Sequence, residues 1–420
     1  MLLNILMAIV TIISFLFMLY NLYFAILGLI GLKGAKPAPF AKPKTRFAVV
    51  AAARNEADVI GHLVDSLKEL DYPPELYDIY VAPNNCTDDT EAVATAHGAH
   101  IFRHQGEVHS KGEVLTQFVD NVVLGEGYDA MVVFDADNLA QKDFLQLMNN
   151  SICGGAHAVQ GFRDSKNPKQ NSVSGSYSVT YWVLNIFFYN PRRALGLSAM
   201  INGSGFAVTN ELLRKTGGWH TVTMTEDYEF TAQTILAGHR VHFVPEAVIY
   251  DEQPLTYEQS WNQRRRWGTG NFQGLELYAG KLLRYGLKHK SQTALDMFMT
   301  YIMPVVQVCG AITAVVGFVL ALVWSEATFN SMWYAGIMAL VGIVGALLGS
   351  AIVAMVTITI KKASKRSMWK AILAYGWFMF TWLMVTLSVL IKRQHTWDQI
   401  AHTNAVGLEQ VDTADKPCDE

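Results

Sequence analysis

"YDAMVVFDAD", Tyr128 to Asp137, decides the fold. Four apolar residues, "MVVF", stop abruptly at two carboxylates, which reads as a β-strand with a polar end. Side chains alternate along a strand with period two, so Asp135 and Asp137 are expected on one side. Like charges that close are costly unless a cation or strong donors neutralise them. A divalent ion bridging a diphosphate does so, because hard cations take carboxylate and phosphate oxygens together. A solvated strand-end turn is the plainer reading of any isolated D-x-D.

Outward from this strand, short β-branched runs alternate with helix-patterned stretches, as in an α/β fold on a mostly parallel sheet. "RFAVVAAA" (Arg46–Ala53) reads as the first strand, Ala57 to Leu70 as an amphipathic helix ended by "DYPPE", and "YDIYVAP" as the second strand. Thr87 in "NNCTDDT" is the expected N-cap of the next helix, with acidic residues in its first turn. Ligands of such sheets bind beyond the carboxyl ends of the strands. The residues to read are therefore "ARNE", "NNCTDD" and "DAD".

The 420 residues are 51% hydrophobic and 16% charged, with mean hydropathy +0.19, between a soluble enzyme and a membrane bundle. The net charge of −3 gives no global basic field for nucleic acid. Cys86, Cys153, Cys309 and Cys418 lack metal or disulfide spacing, which suits a reducing cytosol. Leu2 to Leu32 carries no charge, lacks a basic start and exceeds a signal-peptide core, so it reads as a retained membrane helix. Lysines and an arginine follow it up to Arg46 and place the next segment in the cytosol. Further apolar runs cover about Leu295–Trp324, Trp333–Ile360 and Ala371–Ile391, with a basic "KKASKR" between the last two. The expected domains are a membrane helix at 1–32, a catalytic domain at 44–255, an arginine segment with interface helices at 256–292, three membrane helices at 293–391 and a polar tail at 392–420. One conflict stands: four crossings would export a tail whose start, "KRQHTW", looks cytosolic.

Two more stretches carry chemistry. In "GGWHTVTMTEDYEFT", Glu226 and Asp227 follow Thr225 at a helix start, where carboxylates are favoured in any case. Asp227 is also a candidate general base for an attacking hydroxyl. In "WNQRRRWGTGN" (Trp261–Asn271), arginines bracketed by aromatics suit diphosphate and sugar together, since a guanidinium forks onto phosphate or stacks on a ring. Basic residues facing lipid headgroups are the plainer reading.

"AARNE", "NNCTDDT", Lys111–Gly112, "DAD", "TED" and "QRRRW" occur in this order, and the set resembles the membrane-embedded family 2 glycosyltransferases. These include the cellulose, hyaluronan, chitin-oligosaccharide and poly-N-acetylglucosamine synthases. The resemblance covers Arg46 to Trp267 and the membrane layout. It implies a GT-A fold (Rossmann-like, mostly parallel) joined to a helical membrane region, inverting transfer from a UDP-sugar, and Mg²⁺ or Mn²⁺. It implies that Asp135 and Asp137 hold nucleotide and metal and that Asp227, beside Glu226, is the base. Gln263, Arg264, Arg266 and Trp267 match Q-x-x-R-W and would contact diphosphate and acceptor. Asn55, Glu56 and Lys111 would approach the nucleotide, and Gly203 and Ser204 of "NGSGF" would let the acceptor in. Asn84 stands where the family carries an Asp against the nucleoside; an amide can still pair with a uracil edge.

"YSVTYWVLNIFFYNPRR" (Tyr177–Arg193) reads either as an interface helix or as a buried core helix. Trp397 and His402 are candidates for a gating or acceptor contact. The leading expectation is a processive β-glycan synthase, multi-pass in the plasma membrane with a cytosolic catalytic domain, coupled to export and served by accessory export or regulatory proteins. A glycan is too polar to cross lipid unaided. The alternatives are single-sugar transfer to a lipid such as diacylglycerol or polyprenyl phosphate, and a non-enzymatic transporter or scaffold. Against the last, only Asp296 among the spans carries a buried charge.

Overall fold

A computed structural model describes residues 2–32, 34, 36–324, 329–394 and 406–415; Trp397 and His402 lie outside the described residues. Eight strands form one sheet in the order β3-β2-β1-β4-β7-β6-β8-β5. They are β1 Phe47–Ala53, β2 Tyr77–Pro83, β3 His100–Ile101, β4 Ala130–Asp135, β5 Leu139–Ala140, β6 Ala158–Ser165, β7 Phe206–Thr209 and β8 Val241–Asp251. β3, β2, β1 and β4 run parallel, β7 is antiparallel to both β4 and β6, and β8 pairs parallel with β6. The mostly parallel sheet of a GT-A fold is thus present.

The apolar runs become central strands because helices cover both faces of the sheet. Along β1, Ala48 and Val50 enter one core while Phe47, Val49 and Ala51 enter the other. Strand ends fall inside the expected bounds. β4 stops at Asp135, where the Asn138 N–H turns back onto the Asp135 carbonyl at 3.1 Å. The period-two argument therefore does not reach Asp137. Thr87 is not an N-cap either: the helix after β2 spans Thr90–Ala96 and begins beyond Asp89.

The helices that matter below are α1 (Leu2–Gly31), α2 (Lys111–Phe118), α3 (Ser172–Val183), α4 (Glu226–Leu236), α5 (Tyr257–Gly274), α6 (Met303–Trp324), α7 (Phe329–Ile360) and α8 (Trp369–Ile391). α3 follows β6, α5 follows β8, and the two meet where Tyr177 OH donates to the Ser260 carbonyl at 3.1 Å. The stretch from Tyr177 to Arg193 combines both readings of its sequence. Tyr177, Trp182, Tyr189 and Arg192 are buried, while the Phe187 side comes within 3.7 Å of a Cβ placed on Gly28 of α1.

Among the described residues four helices are long and apolar enough to cross a membrane: Leu2–Gly31, Met303–Val323, Trp333–Ile360 and Trp369–Ile391. They are not alike, since 39% of the apolar window of α8 is buried within the protein against at most 6% in the other three. Asp296 lies before α6 in a separate helix, Gln292–Tyr301, where both carboxylate oxygens take hydrogen bonds at 2.8 Å from Arg192. It is a paired anchor outside the span.

Candidate active site

The carboxyl ends of β1, β2, β4, β6 and β8 gather polar residues on one sheet edge. At its centre Lys111 is the first residue of α2, which Ser110 caps by accepting from the Glu113 N–H. Its ammonium lies 2.5 Å from Asp135 Oδ1 and 2.7 Å from the Gly203 carbonyl. Burial alone would lower the Lys111 pKa, but Asp135, Glu226 and Asp227 outweigh it and raise the pKa. For Asp135 burial works upward, and Lys111, Arg163 and Arg266 together hold the carboxyl below its usual range.

Asp227 opens α4 across from this pair. A Cβ placed on Gly203, whose φ is +77°, would sit 3.6 Å from Asp227 Oδ2 and 3.5 Å from Arg163 Nη1. Glycine there keeps open the space between the carboxylate and the loop, in a backbone region that favours glycine. Burial first, and then the charge of Glu226, push Asp227 up to about 7. A carboxylate with that pKa can accept a proton near neutral pH and still be half ionised before doing so. Glu226 is its immediate neighbour, and a Cβ on Gly112 would lie 3.4 Å from Glu226 Cβ.

Ser204 is fully buried, accepts the Asp135 N–H at 2.9 Å and also bonds Asn138. It braces the end of β4. Gln160 on β6 fixes the same loop, accepting from the Asn202 N–H and donating to the Ser204 carbonyl, both at 2.9 Å.

The β1 and β2 turns are tied together at the other end of the site. Asn55, in a left-handed conformation at φ 56°, accepts from the Thr87 N–H at 2.7 Å. The Glu56 N–H donates to Thr90 Oγ1 at 2.8 Å, and Glu56 itself is buried. Burial would raise the Asp88 pKa, but donation from Thr90 and from the Ala57 N–H outweighs it, so Asp88 is spent on the turn. Asn84 is different: it is buried, and its Oδ1 has no hydrogen-bond partner among the described residues. A buried unpaired acceptor at a ligand edge is an opening for an N–H donor.

Among the described residues no three His, Cys, Asp or Glu side chains converge on a metal position. Asp137 turns inward, where Oδ2 accepts the Glu252 N–H at 3.0 Å and Oδ1 faces the Asn138 amide at 3.4 Å. It also neighbours Asp251, which burial and then Asp137 push up to about 8 against the pull of Arg163. Asp135, with a side chain 30% exposed, is the carboxylate at the opening. One such carboxylate fits an ion like Mg²⁺ or Mn²⁺ that takes its other ligands from phosphate and water.

The arginine cluster divides. Arg264 is fully buried and donates to Thr381 Oγ1 at 2.7 Å and to the Phe378 carbonyl at 3.3 Å, with its guanidinium 4.5 Å from the Phe378 ring. It locks α5 to α8, and its described hydrogen bonds are spent on that packing. Arg265 Nη2 donates to the Lys392 carbonyl at 3.0 Å. Arg266 is the arginine whose charge reaches Asp135. Trp267 stacks on Trp382 at 6.1 Å and meets Tyr177 edge-on at the same separation. Gln263 Oε1 and Trp382 Nε1 are buried without partners among the described residues.

Sequence reading missed Arg163. Its Nε and Nη2 clasp Asp251 Oδ2 at 2.7 and 2.5 Å, its Nη1 reaches the Asn202 carbonyl at 3.0 Å, and Asp135 lies 4.0 Å away. A lone arginine and a lone aspartate in "FRDS" and "IYDEQ" carry no local pattern; their only signal is position at the carboxyl ends of β6 and β8. A cavity of about 460 Å³ lined by His157, His239, Arg240 and His242 lies at the opposite ends of these strands, away from the site.

Known proteins share this layout. The chain spans little more than half the length of the curated relatives it matches. It is 28% identical over 274 residues, 61% of the chain, to the β-monoglucosyldiacylglycerol synthase of Nostoc sp., covering 56% of that protein. To the poly-β-1,6-N-acetyl-D-glucosamine synthase of Staphylococcus aureus it is 24% identical over 229 residues, 53% of this chain and 54% of that one. A mannosyltransferase from Pyrobaculum calidifontis, solved with GDP-Man and Mn²⁺, superposes with a TM-score of 0.59 at 19% identity over 90% of this chain and 99% of that chain, which establishes the shared fold. The family model described as glycosyltransferase like family 2 matches residues 43–270, more than half of the chain, and the chain belongs to that family of glycosyltransferases.

Proposed function

We propose that the protein transfers a single hexose or N-acetylhexosamine, with inversion, from a UDP-sugar to a lipid acceptor at the plasma membrane, with the sheet domain in the cytosol. Asp227 Oδ2 takes the proton of the acceptor hydroxyl as that oxygen bonds to the anomeric carbon. The bond from that carbon to the diphosphate oxygen breaks, and UDP leaves. Lys111 and Arg266 stabilise the charge growing on the departing diphosphate, and Asn84 Oδ1 accepts from the uracil N–H. Asp135 would hold the divalent ion, which neutralises diphosphate charge when bound.

The observation that carries the lipid reading is the stack of Trp267 on Trp382. It supports an acceptor end at Trp267 that adjoins α8, a helix whose other side exposes Trp369, Leu373 and Trp377. α6 and α7 expose mainly apolar side chains such as Val315, Leu340 and Leu348, a poor lining for a passing glycan. The second reading, processive synthesis of a β-glycan, is favoured by the complete Q-x-x-R-W signature and by the similarity to a polysaccharide synthase.

Membranes holding the protein, given radiolabelled UDP-glucose or UDP-N-acetylglucosamine, should yield product soluble in chloroform–methanol with one sugar per lipid. Label retained in an ethanol-insoluble polymer would overturn the lipid reading in favour of the second.

A further inference from the structure

We propose that α8, Trp369–Ile391, does not cross the bilayer but lies in its surface on the side of the sheet domain. The chain then crosses three times, through α1, α6 and α7, and Lys392–Gln394 stay beside the catalytic domain. The argument is independent of which acceptor the site uses.

α8 touches the domain along its whole length. At its start a Cβ on Gly175 of α3 would lie 2.7 Å from Ala371 Cβ and 2.9 Å from the Pro168 carbonyl. At its middle Phe378 meets the Tyr177 ring at 5.1 Å, and Arg264 bonds Phe378 and Thr381. At its end a Cβ on Gly268 would lie 3.1 Å from Val389, and Arg265 holds the Lys392 carbonyl. Arg393 then pairs with Glu276, and the Gln394 N–H donates to Thr269 Oγ1 at 3.2 Å. Twenty-three helical residues reach about 35 Å, enough to separate their ends by a ~30 Å hydrocarbon core. Both ends of α8 nonetheless rest on the catalytic domain, the start on α3 and the end on α5, two helices joined through Tyr177 and Ser260.

The other spans point the same way. The last glycine of α1 abuts the domain, since a Cβ on Gly31 would fall 2.5 Å from the Ile186 carbonyl and 2.7 Å from Pro191. α6 starts just after the helix that Arg192 anchors through Asp296. α7 ends on the domain, where Lys361 pairs with buried Asp164 at 2.6 Å. α1 therefore arrives at the catalytic side, α6 leaves, and α7 returns to deliver α8 there.

The outward face of α8 fits lipid. Trp369, Leu373, Trp377 and Phe380 recur at helical spacing and are 53%, 71%, 55% and 46% exposed, and Ile391 is 89% exposed. On its buried side α8 also packs on α7, where a Cβ on Gly376 would lie 3.1 Å from Leu347 Cα, and Lys362, Lys365, Arg366 and Lys370 flank its start. An apolar stripe with tryptophans and an adjoining basic cluster is the pattern of a helix at an anionic membrane surface. The placement also removes the sequence conflict, because Lys392 and Arg393 then sit where basic flanks are expected.

The test uses the full chain in lipid vesicles of phosphatidylcholine with phosphatidylglycerol, its four cysteines replaced by serine. Nitroxides at L373C, W377C and L390C should report one shared shallow depth by collision with oxygen and with a water-soluble nickel chelate. A profile that deepens to the midplane between positions 373 and 390 would overturn the proposal. So would labels closed to both reagents and broadened by one another, which would mean that a second copy covers the face. A C-terminal epitope should be exposed only in vesicles that also expose the sheet domain; exposure from the other face sinks the three-crossing layout.

Discussion

Lys111 and Asp135 form a half-buried ion pair, Nζ to Oδ1 at 2.5 Å, in which the lysine also holds the Gly203 carbonyl. The pair joins the start of α2, the end of β4 and the small-residue loop before β7, so one cation fixes three elements around the position proposed for the diphosphate. A donor diphosphate arriving there meets an ammonium already placed and an aspartate already ionised.

Lys111→Met should therefore raise the KM for donor by about ten- to a hundredfold, the 1.5–3 kcal/mol of a charge-assisted hydrogen bond. It should also free Asp135 Oδ1 for cations, so that Mn²⁺ alone binds more tightly to the variant than to the parent. Manganese titration by electron paramagnetic resonance without nucleotide checks this; weaker Mn²⁺ binding would mean that Asp135 does not face the ion.

Asp227 gives the pH profile. A base pushed up to about 7 is half protonated there, so kcat/KM should fall on the acid side below about pH 7. Glu226→Gln removes the second cause of that shift and should move the acid limb to lower pH. Asp227→Asn should lose about 10²–10⁴-fold in kcat. Because the folded pKa lies above the unfolded carboxylate value of about 4, ionisation opposes folding. The stability lost appears as pH rises from the unfolded value through about 7. Asp227→Asn should escape that loss, and its Tm advantage over the parent should widen across the same window.

Much of this was legible in the residues, for reasons that also mark where legibility stops. β1 and β4 stood out because both sheet faces are covered, which makes their sequences apolar without interruption. Alternation does not fix the direction of Asp137, because it holds only while a strand lasts and β4 ends at Asp135. Ser204 is tied to the Asp135 N–H at the end of β4, a bond that the small-residue pattern of its loop does not encode. The three arginines could not be told apart, because neighbours on a helix point about 100° apart and the motif does not say which way α5 is turned. Arg163 and Asp251 meet through a crossover of 88 residues that no local pattern encodes. α8 matched the membrane helices in composition because one face meets lipid and the other a protein core, and both want apolar side chains.

Arg264 and Arg266, two residues apart, should give opposite phenotypes. Arg264→Ala leaves a cavity and strips Thr381 and the Phe378 carbonyl of a donor, so stability should drop by about 2–4 kcal/mol. That loss should show as a lower Tm in detergent and as proteolysis near Lys392. Arg266→Ala should keep the parent Tm and lose about 100- to 1000-fold in kcat, as for a donor to developing charge. Equal loss of Tm in both variants would place Arg266 in the packing as well.

Asn84 tests the nucleoside end. Its buried Oδ1 has no partner among the described residues, and a buried acceptor left unpaired costs about 1–3 kcal/mol. UDP would relieve that cost by donating its uracil N–H. Asn84→Asp keeps an acceptor oxygen in place, so the Kd for UDP, read by calorimetry, should stay within about threefold of the parent. Asn84→Leu removes the acceptor and should weaken UDP by about tenfold while leaving inorganic diphosphate unaffected, since the proposed phosphate position is at Lys111. A Leu variant that binds both ligands as the parent does would show that the base sits elsewhere on the edge.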